Sequence, residues 1–316
     1  MDVSVVIPLL NEEESLDELV AWIDRVMKAH ELRYELIMVD DGSSDGSWEK
    51  IRTLSRDYPG VRGIRFRRNY GKSAALHVGF RATRGDIVVT MDADLQDSPE
   101  EIPAMRKMIV DEGYDLVSGW KKKRYDPVLS KNLPSKLFNW AARRLSGIRL
   151  HDFNCGLKAY RAAVVHSIEV FGEMHRYIPV LAKSSGFTHI GEKVVHHQER
   201  KYGETKFGME RFMKGFLDLL TVTFVTRFGK RPMHLFGTFG MMVFFLGVAA
   251  LVVIGIQKWI ALRNHIPSGL MADNILFYIS LTCMIIGAQL FIGGFLGELV
   301  SRNATDRNHY EVEEEI

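Results

Sequence analysis

Cysteine is nearly absent from this chain of 316 residues, with only Cys155 and Cys283 present. Cys155 falls in a mixed-polarity segment and Cys283 in an apolar run, so neither a disulfide framework nor a cysteine metal site is expected. Net charge is also small, because 41 Lys and Arg stand against 39 Asp and Glu for a formal +2. Local clusters of charge therefore say more than the total. The N-terminus, Met1-Asp2-Val3-Ser4, lacks the basic start and apolar core of a signal peptide and runs straight into a strand-like segment. The first domain is accordingly expected in the cytoplasm. Charge is missing altogether from Leu235 to Ile256 and from Ile275 to Gly297. Each run is long enough to cross a hydrocarbon core of about 30 Å as a helix, and helices buried in soluble proteins seldom stay uncharged for so long. Arg227, Lys230 and Arg231 precede the first run, Arg302 and Arg307 follow the second, and the connecting loop holds Lys258 and Arg263. This modest bias predicts a multi-pass membrane protein with both termini cytoplasmic.

What the first two thirds contain is a βα alternation. Val3 to Leu9 reads as a strand, and Pro8 near its end marks where the chain leaves the sheet. A helix follows from about Glu12 to Ala29, with Leu16, Leu19, Val20, Ile23, Val26 and Met27 at helical spacing. Tyr34 to Val39 is a second strand, Asp45 caps a helix to about Tyr58, and Val61 to Phe66 is a third strand. Lys72 to Thr83 then reads as a helix, Asp86 to Met91 as a fourth strand and Asp115 to Gly119 as a fifth. Ser98-Pro99-Glu100-Glu101 has the pattern of a helix start, with Pro in first position and Glu where a capping box needs it. In a mostly parallel sheet the loops after the strands share one edge, and ligands bind there. Asp40, Asp41, Asp92 and Asp94 are thus predicted to line one crevice.

The stretch Thr90-Met91-Asp92-Ala93-Asp94-Leu95-Gln96-Asp97 ends a buried apolar strand in a cluster of acids. Carboxylates at such a place are costly unless paired or bound to a cation. Hard oxygen ligands suit Mg²⁺ or Mn²⁺, which fill their remaining positions with substrate phosphate and water. A solvated Asp-rich turn is the alternative.

Val5-Val6-Ile7-Pro8-Leu9-Leu10-Asn11-Glu12, the loop Val39 to Gly46, Asn69-Tyr70-Gly71-Lys72 and Asp92-Ala93-Asp94-Leu95-Gln96 together resemble family 2 glycosyltransferases. With two C-terminal spans, the chain resembles their polyprenyl-phosphate branch, relatives of dolichol-phosphate mannose synthase and the bactoprenol glucosyltransferases. The resemblance implies an α/β fold: a GT-A (Rossmann-like, mostly parallel sheet) catalytic domain over residues 1–206, an interfacial helix over 207–231, a transmembrane pair over 232–302 and a cytoplasmic tail over 303–316. It further implies that Asp40 and Asp41 meet the ribose and base of a nucleotide sugar, with Pro8, Asn11 and Glu12 forming the pocket floor. Asp92 would lie near the ribose and diphosphate, while Asp94 and Gln96 hold the metal and Asp97 only caps the turn.

On the acceptor side, the resemblance assigns Asp152, in His151-Asp152-Phe153-Asn154-Cys155-Gly156, to the acceptor pocket, although an Asp there can also simply turn the chain. Arg200-Lys201-Tyr202-Gly203-Glu204-Thr205-Lys206 matches the family pattern R-x-x-G-x-S/T-K, so Arg200, Thr205 and Lys206 are expected to hold phosphate. A solvated basic face near anionic lipid is the other reading. Arg124 falls where the family has a phosphate-contacting loop, and its longer basic surroundings put mannose in doubt as the donor sugar. Leu133 to Leu145 and Phe207 to about Phe228 read as amphipathic helices able to lie on a membrane, and Glu311 to Ile316 as a solvated tail. The expected partners are a nucleotide sugar, a polyprenyl phosphate and the membrane, not nucleic acid, with a homo-oligomer (tetramer or dimer) left open. A processive polysaccharide synthase would carry Q-x-x-R-W and more spans, which the chain lacks. A non-catalytic nucleotide-sugar sensor would have no reason to keep Asp94, Gln96 and the Arg200 cluster together.

Overall fold

A computed structural model describes residues 1–122, 143–144, 146–172, 174–198, 232–267, 269–303 and 312–315. The chain separates into two compact units, Met1–Val222 with Asp306–Ile316, and Thr223–Thr305.

The first unit is built on β1 (Val3–Leu9), β2 (Tyr34–Asp40), β3 (Val61–Phe66), β4 (Ile87–Thr90), β5 (Leu116–Trp120), β6 (Lys158–Arg161), β7 (Ile190–Val194) and β8 (Val312–Glu315). They form one sheet in the order β7-β5-β6-β4-β1-β2-β3-β8. The central strands β4, β1, β2 and β3 are mutually parallel, and β6 is inserted antiparallel between β4 and β5. Parallel strands in the middle of such a sheet are covered on both faces, which is why β1 can be an almost unbroken apolar run. On one face Val5 and Ile7 pack with Leu19 and Ile23 of α1 (Leu16–Ala29) and with Trp48 and Ile51 of α2 (Ser47–Asp57). On the other, Ile37 and Val39 meet Ala74 and Ala75 of α3 (Lys72–Ala82). Three shorter helices follow in the same unit: α4 (Ile102–Asp111), α5 (Ala162–Ser167) and α6 (Ile178–Ser184).

Several predicted boundaries move. α1 begins four residues later than expected, since Ser15 turns back on Glu12 through both its N–H (3.1 Å) and its hydroxyl (2.9 Å). Asp45 does not occupy the cap position of α2, which belongs to Gly46; its carboxylate instead accepts from the N–H groups of Ser47 and Glu13. The capping box at Ser98 does not form. Glu101 turns away to pair with Lys193 and accept from His196 N–H, and a 3-10 turn, Pro99–Glu101, leads into α4. The largest correction is at the C-terminus, where the supposed solvated tail adds β8 antiparallel to β3 and sets Glu315 against Arg62 at 3.3 Å.

The second unit holds α7 (Pro232–Arg263) and α8 (Ile275–Asn303), both long and apolar enough to cross a membrane. Their large apolar side chains are mostly exposed, Leu246, Leu262 and Ile292 among them, so they are not the core of a soluble bundle. The two helices touch through glycine. A Cβ at Gly240 would stand 2.7 Å from the Gly287 carbonyl, and one at Gly287 would stand 2.6 Å from that of Gly240. Seven residues along, Gly247 meets the Ser280 carbonyl and Gly294 meets Phe236. Small residues that let backbones approach are what holds helices together in lipid. The interfacial helices expected at 133–145 and 207–228 fall outside the described residues, apart from Arg143 and Arg144, which are helical.

Candidate active site

The crevice opens where β1, β2 and β4 end. Pro8 lies past the last β1–β4 pair, Val6 with Thr90, so the sheet has already parted on that side. Asn11 then takes a left-handed conformation (φ 57°), which Asn tolerates better than most residues. It stitches two loops together: its N–H donates to Ser43 Oγ (2.9 Å), its side-chain oxygen accepts from Ser44 N–H (2.8 Å), and Glu12 N–H donates to Ser47 Oγ (3.0 Å).

Asp40 and Asp41 are both buried at the end of β2. Asp40 accepts from Ser43 N–H at 2.9 Å and lies 3.6 Å from Arg65 Nε. Asp41 accepts from Tyr70 N–H (2.7 Å) and Gly71 N–H (2.9 Å), one on each carboxylate oxygen. It therefore fixes the loop at which α3 begins, a loop that needs Gly71 at φ 95°. Burial pushes both carboxyls above the usual range, against these hydrogen bonds.

Beyond β4 the chain makes a tight acidic turn. Asp94 is buried, and its Oδ1 accepts from Gln96 N–H at 3.2 Å. Leu95 between them has φ 60°. A leucine in that region costs about 1–2 kcal/mol, and strain of this kind collects at functional sites. Asp92 pairs with Lys72 from the start of α3. Burial would raise the Asp92 carboxyl, but the charges of Lys72, Lys121 and Lys158 prevail and hold it well below the usual carboxylate range. Gly156 packs directly on it, since a Cβ there would stand 2.5 Å from Asp92 Oδ2. Asp97 is more than the turn cap expected of it: fully buried, it forms an ion pair with Lys121 at 2.7 Å, and its backbone bridges to His197. Beside it, Gln198, two residues before Arg200 in sequence, donates its N–H to the Gln96 carbonyl.

Asp94 and Gln96 offer oxygen donors on a single strained turn, which suits a hard divalent cation. Among the described residues no three His, Cys, Asp or Glu side chains converge into a cage.

Under Asp92 a pocket is lined by Pro8, Lys72, Asn154, Lys158, His175 and Arg176, among others. Lys158 lies in the middle of the sheet on β6, 3% exposed, and its ammonium donates to the Cys155 carbonyl. Burial lowers its pKa and pushes the Cys155 thiol up to about 12, so Cys155 is an inert structural thiol. His175 shares a 3.0 Å hydrogen bond between Nδ1 and Ser73 Oγ, and burial holds its pKa well below the ordinary value, so the ring is neutral. Lys72, Lys158, His175 and Arg176 were not among the predicted site residues. A lysine inside the apolar run Leu157 to Tyr160 was the available signal for Lys158, whereas nothing local marks Arg176.

Of the predicted residues, Pro8 and Asp92 line this pocket, while Asp40 ends β2 and Asn11, Glu12, Asp41, Asp94 and Gln96 sit on the loops at the same sheet edge. Asp152 is buried, with its Oδ1 accepting from Asn154 N–H at 3.0 Å. Arg124, Arg200, Thr205 and Lys206 lie outside the described residues.

Residues 4–168 match glycosyl transferase family 2. The chain is 35% identical over 304 residues to dodecaprenyl-phosphate galacturonate synthase of Rhizobium johnstonii, covering 96% of this chain and 88% of that one. It is also 35% identical over 306 residues to undecaprenyl-phosphate 4-deoxy-4-formamido-L-arabinose transferase of Pseudomonas fluorescens, covering 96% and 86%. Among solved structures, glucosyl-3-phosphoglycerate synthase of Mycobacterium tuberculosis, in complex with Mn²⁺, UDP-glucose and phosphoglyceric acid, superposes with a TM-score of 0.53 at 20% identity, over 71% of this chain and 79% of that one. At that identity the likeness establishes the fold.

Proposed function

The chain belongs to glycosyl transferase family 2, and from that premise we propose that it moves a sugar from a nucleotide diphosphate to a polyprenyl phosphate. The observation that carries this reading is the strained Asp92–Gln96 turn, set at the carboxyl ends of parallel strands and backed by cations. Support for the lipid acceptor comes from the two relatives, aligned here over 96% of the chain, helices α7 and α8 included.

In this mechanism the loops carrying Asn11, Asp40 and Asp41 seat the nucleotide. Asp41 acts partly by holding the Tyr70–Gly71 loop in place. Asp94 and Gln96 would hold Mg²⁺ or Mn²⁺, which when bound neutralises charge on the departing diphosphate. An oxygen of the acceptor phosphate attacks the anomeric carbon from the face opposite the diphosphate; the new C–O bond forms as the old one breaks, inverting the centre. A phosphate monoester, with its second pKa near 6, is already largely dianionic at pH 7, so the nucleophile needs placement more than a base. Arg124, Arg200, Thr205 and Lys206 are the proposed phosphate contacts. The catalytic unit is placed on the cytoplasmic face, where nucleotide sugars are made.

Purified full-length protein in detergent, incubated with polyprenyl phosphate and a panel of UDP- and GDP-sugars, tests the reading directly. A polyprenyl-phosphate-linked sugar is expected from one donor, dependent on added divalent metal. Hydrolysis alone, or no product with any donor, would sink it.

A further inference from the structure

The pocket under Asp92 is lined by more cations than acids among the described residues. Lys72, Lys158 and Arg176 line it, and the only acid among its described lining residues is Asp92, already paired with Lys72. Lys158 and Arg176 make no ion pair among the described residues, and Arg176 no hydrogen bond through its guanidinium either. Lys158 is 3% exposed. Taking an ammonium out of water is costly unless counter-charge meets it; the Cys155 carbonyl accepts from Lys158, and Asp152 and Asp92 act on it electrostatically without forming an ion pair with it. A guanidinium offers a planar fork matched to carboxylate and phosphate. His175, neutral and oriented by Ser73, adds a polar wall without adding charge. Asn154 beside them contributes both a donor and an acceptor.

We infer that Lys158 and Arg176 form an oxyanion subsite in the floor of the crevice, filled during turnover by a phosphate or carboxylate that one of the reactants carries. Two sources share that chemistry: the monoester phosphate of the acceptor lipid, and an acidic substituent on the donor sugar. The inference rests on the glycosyl-transfer reading for its reactants, but not for the existence of the subsite. Lys158 and Arg176 come from different elements, β6 and the 3-10 turn Met174–Tyr177, so their convergence on one pocket is a property of the fold rather than of a local basic run.

The first measurement is titration of the full-length protein in detergent with inorganic phosphate by calorimetry, without nucleotide or lipid. Arg176→Gln is expected to weaken phosphate binding about tenfold or more, the loss of one charge-assisted pair, while UDP affinity stays within about twofold. Arg176→Lys should restore only part of it. Lys158→Met, checked for fold by circular dichroism, should act in the same direction. Steady-state kinetics with a UDP-hexose and the matching UDP-uronate then separates the sources. If the lipid phosphate occupies the subsite, Arg176→Gln raises the KM for polyprenyl phosphate about tenfold with either donor. If a sugar carboxylate occupies it, the preference for the uronate collapses by a similar factor and the lipid KM holds. Unchanged phosphate binding in Arg176→Gln overturns the subsite, and so does an equal loss of UDP affinity, which would make these cations part of the donor diphosphate cradle. Absence of transfer by the wild type would remove the glycosyl-transfer reading and leave the phosphate titration to decide the subsite alone.

Discussion

Leu95 is the residue on which the acidic turn depends. Its left-handed backbone lets the chain reverse so that Asp94 and the N–H of Gln96 meet, and the sheet beneath is rigid enough to sustain the strain. If Asp94 is the metal-binding carboxylate, Asp94→Asn should cut transfer roughly a thousandfold or more while leaving the circular dichroism spectrum intact. Near-normal turnover by that variant, or by wild type in excess chelator, would exclude the assignment. Gly156 permits a sharper test of geometry. An added methyl must displace the Asp92 carboxylate, which Lys72 holds, so Gly156→Ala should lower kcat about ten- to a hundredfold with little change in melting temperature. An unimpaired Gly156→Ala enzyme would mean that the position of Asp92 is immaterial. The acids of this site were legible because acids that end an apolar strand are conspicuous in sequence. Its cations were not: Lys158 reaches Asp92 through the pairing of β6 with β4, and Arg176 comes to the same pocket from the separate Met174–Tyr177 turn.

Elements were easier to read than their ends. Periodicity found α1, α2 and α3 and the strands between them, because the burial that shapes them repeats every 3.6 or 2 residues. It could not foresee where competing side-chain bonds would win, as when Glu101 leaves its expected cap for Lys193. Nor did it find β8, a short acidic segment with no apolar alternation, whose pairing depends on an open edge at β3. Two element-scale outcomes follow from packing. In the hairpin, Gly287→Leu must push α7 and α8 apart, whereas Gly255 has open space around it. The first should lower the detergent melting temperature by several degrees, and Gly255→Ala should be neutral or mildly stabilising, by up to about 1 kcal/mol of helix propensity. Equal behaviour of the two would dissolve the glycine contact as a stabilising feature. Within α3, burial lowers the pKa of His77, with Arg81 adding to the effect. The unfolded chain therefore takes up that proton first as pH falls, so the His77 contribution is complete above about 6.5 and is lost progressively below it. Melting temperature should decline as pH falls below about 6.5, and His77→Gln should flatten that slope; an unaltered slope would assign the acid sensitivity elsewhere.

At the scale of the whole molecule, β3 and β8 belong to one sheet although α7 and α8 lie between them in the chain. Segments paired in a sheet share one side of a membrane, so the two apolar helices cross together or not at all. With a cytoplasmic catalytic unit, Asn264→Cys in a Cys283→Ser background should react with an impermeant maleimide added to intact cells, and Tyr310→Cys should not. The reverse pattern would invert the orientation and exclude a cytoplasmic nucleotide donor.

The same strand has a consequence for how the protein is made. Strands β1 to β7 are all translated before α7, so most of the sheet can assemble while the ribosome is still feeding the hairpin to the bilayer. The β3 edge stays unpaired until β8, which follows α8 in the chain, has left the exit tunnel, and an open edge is an invitation to foreign strands. A chain stalled or cleaved after α8 would thus leave a nearly finished domain with its β3 border open to foreign strands.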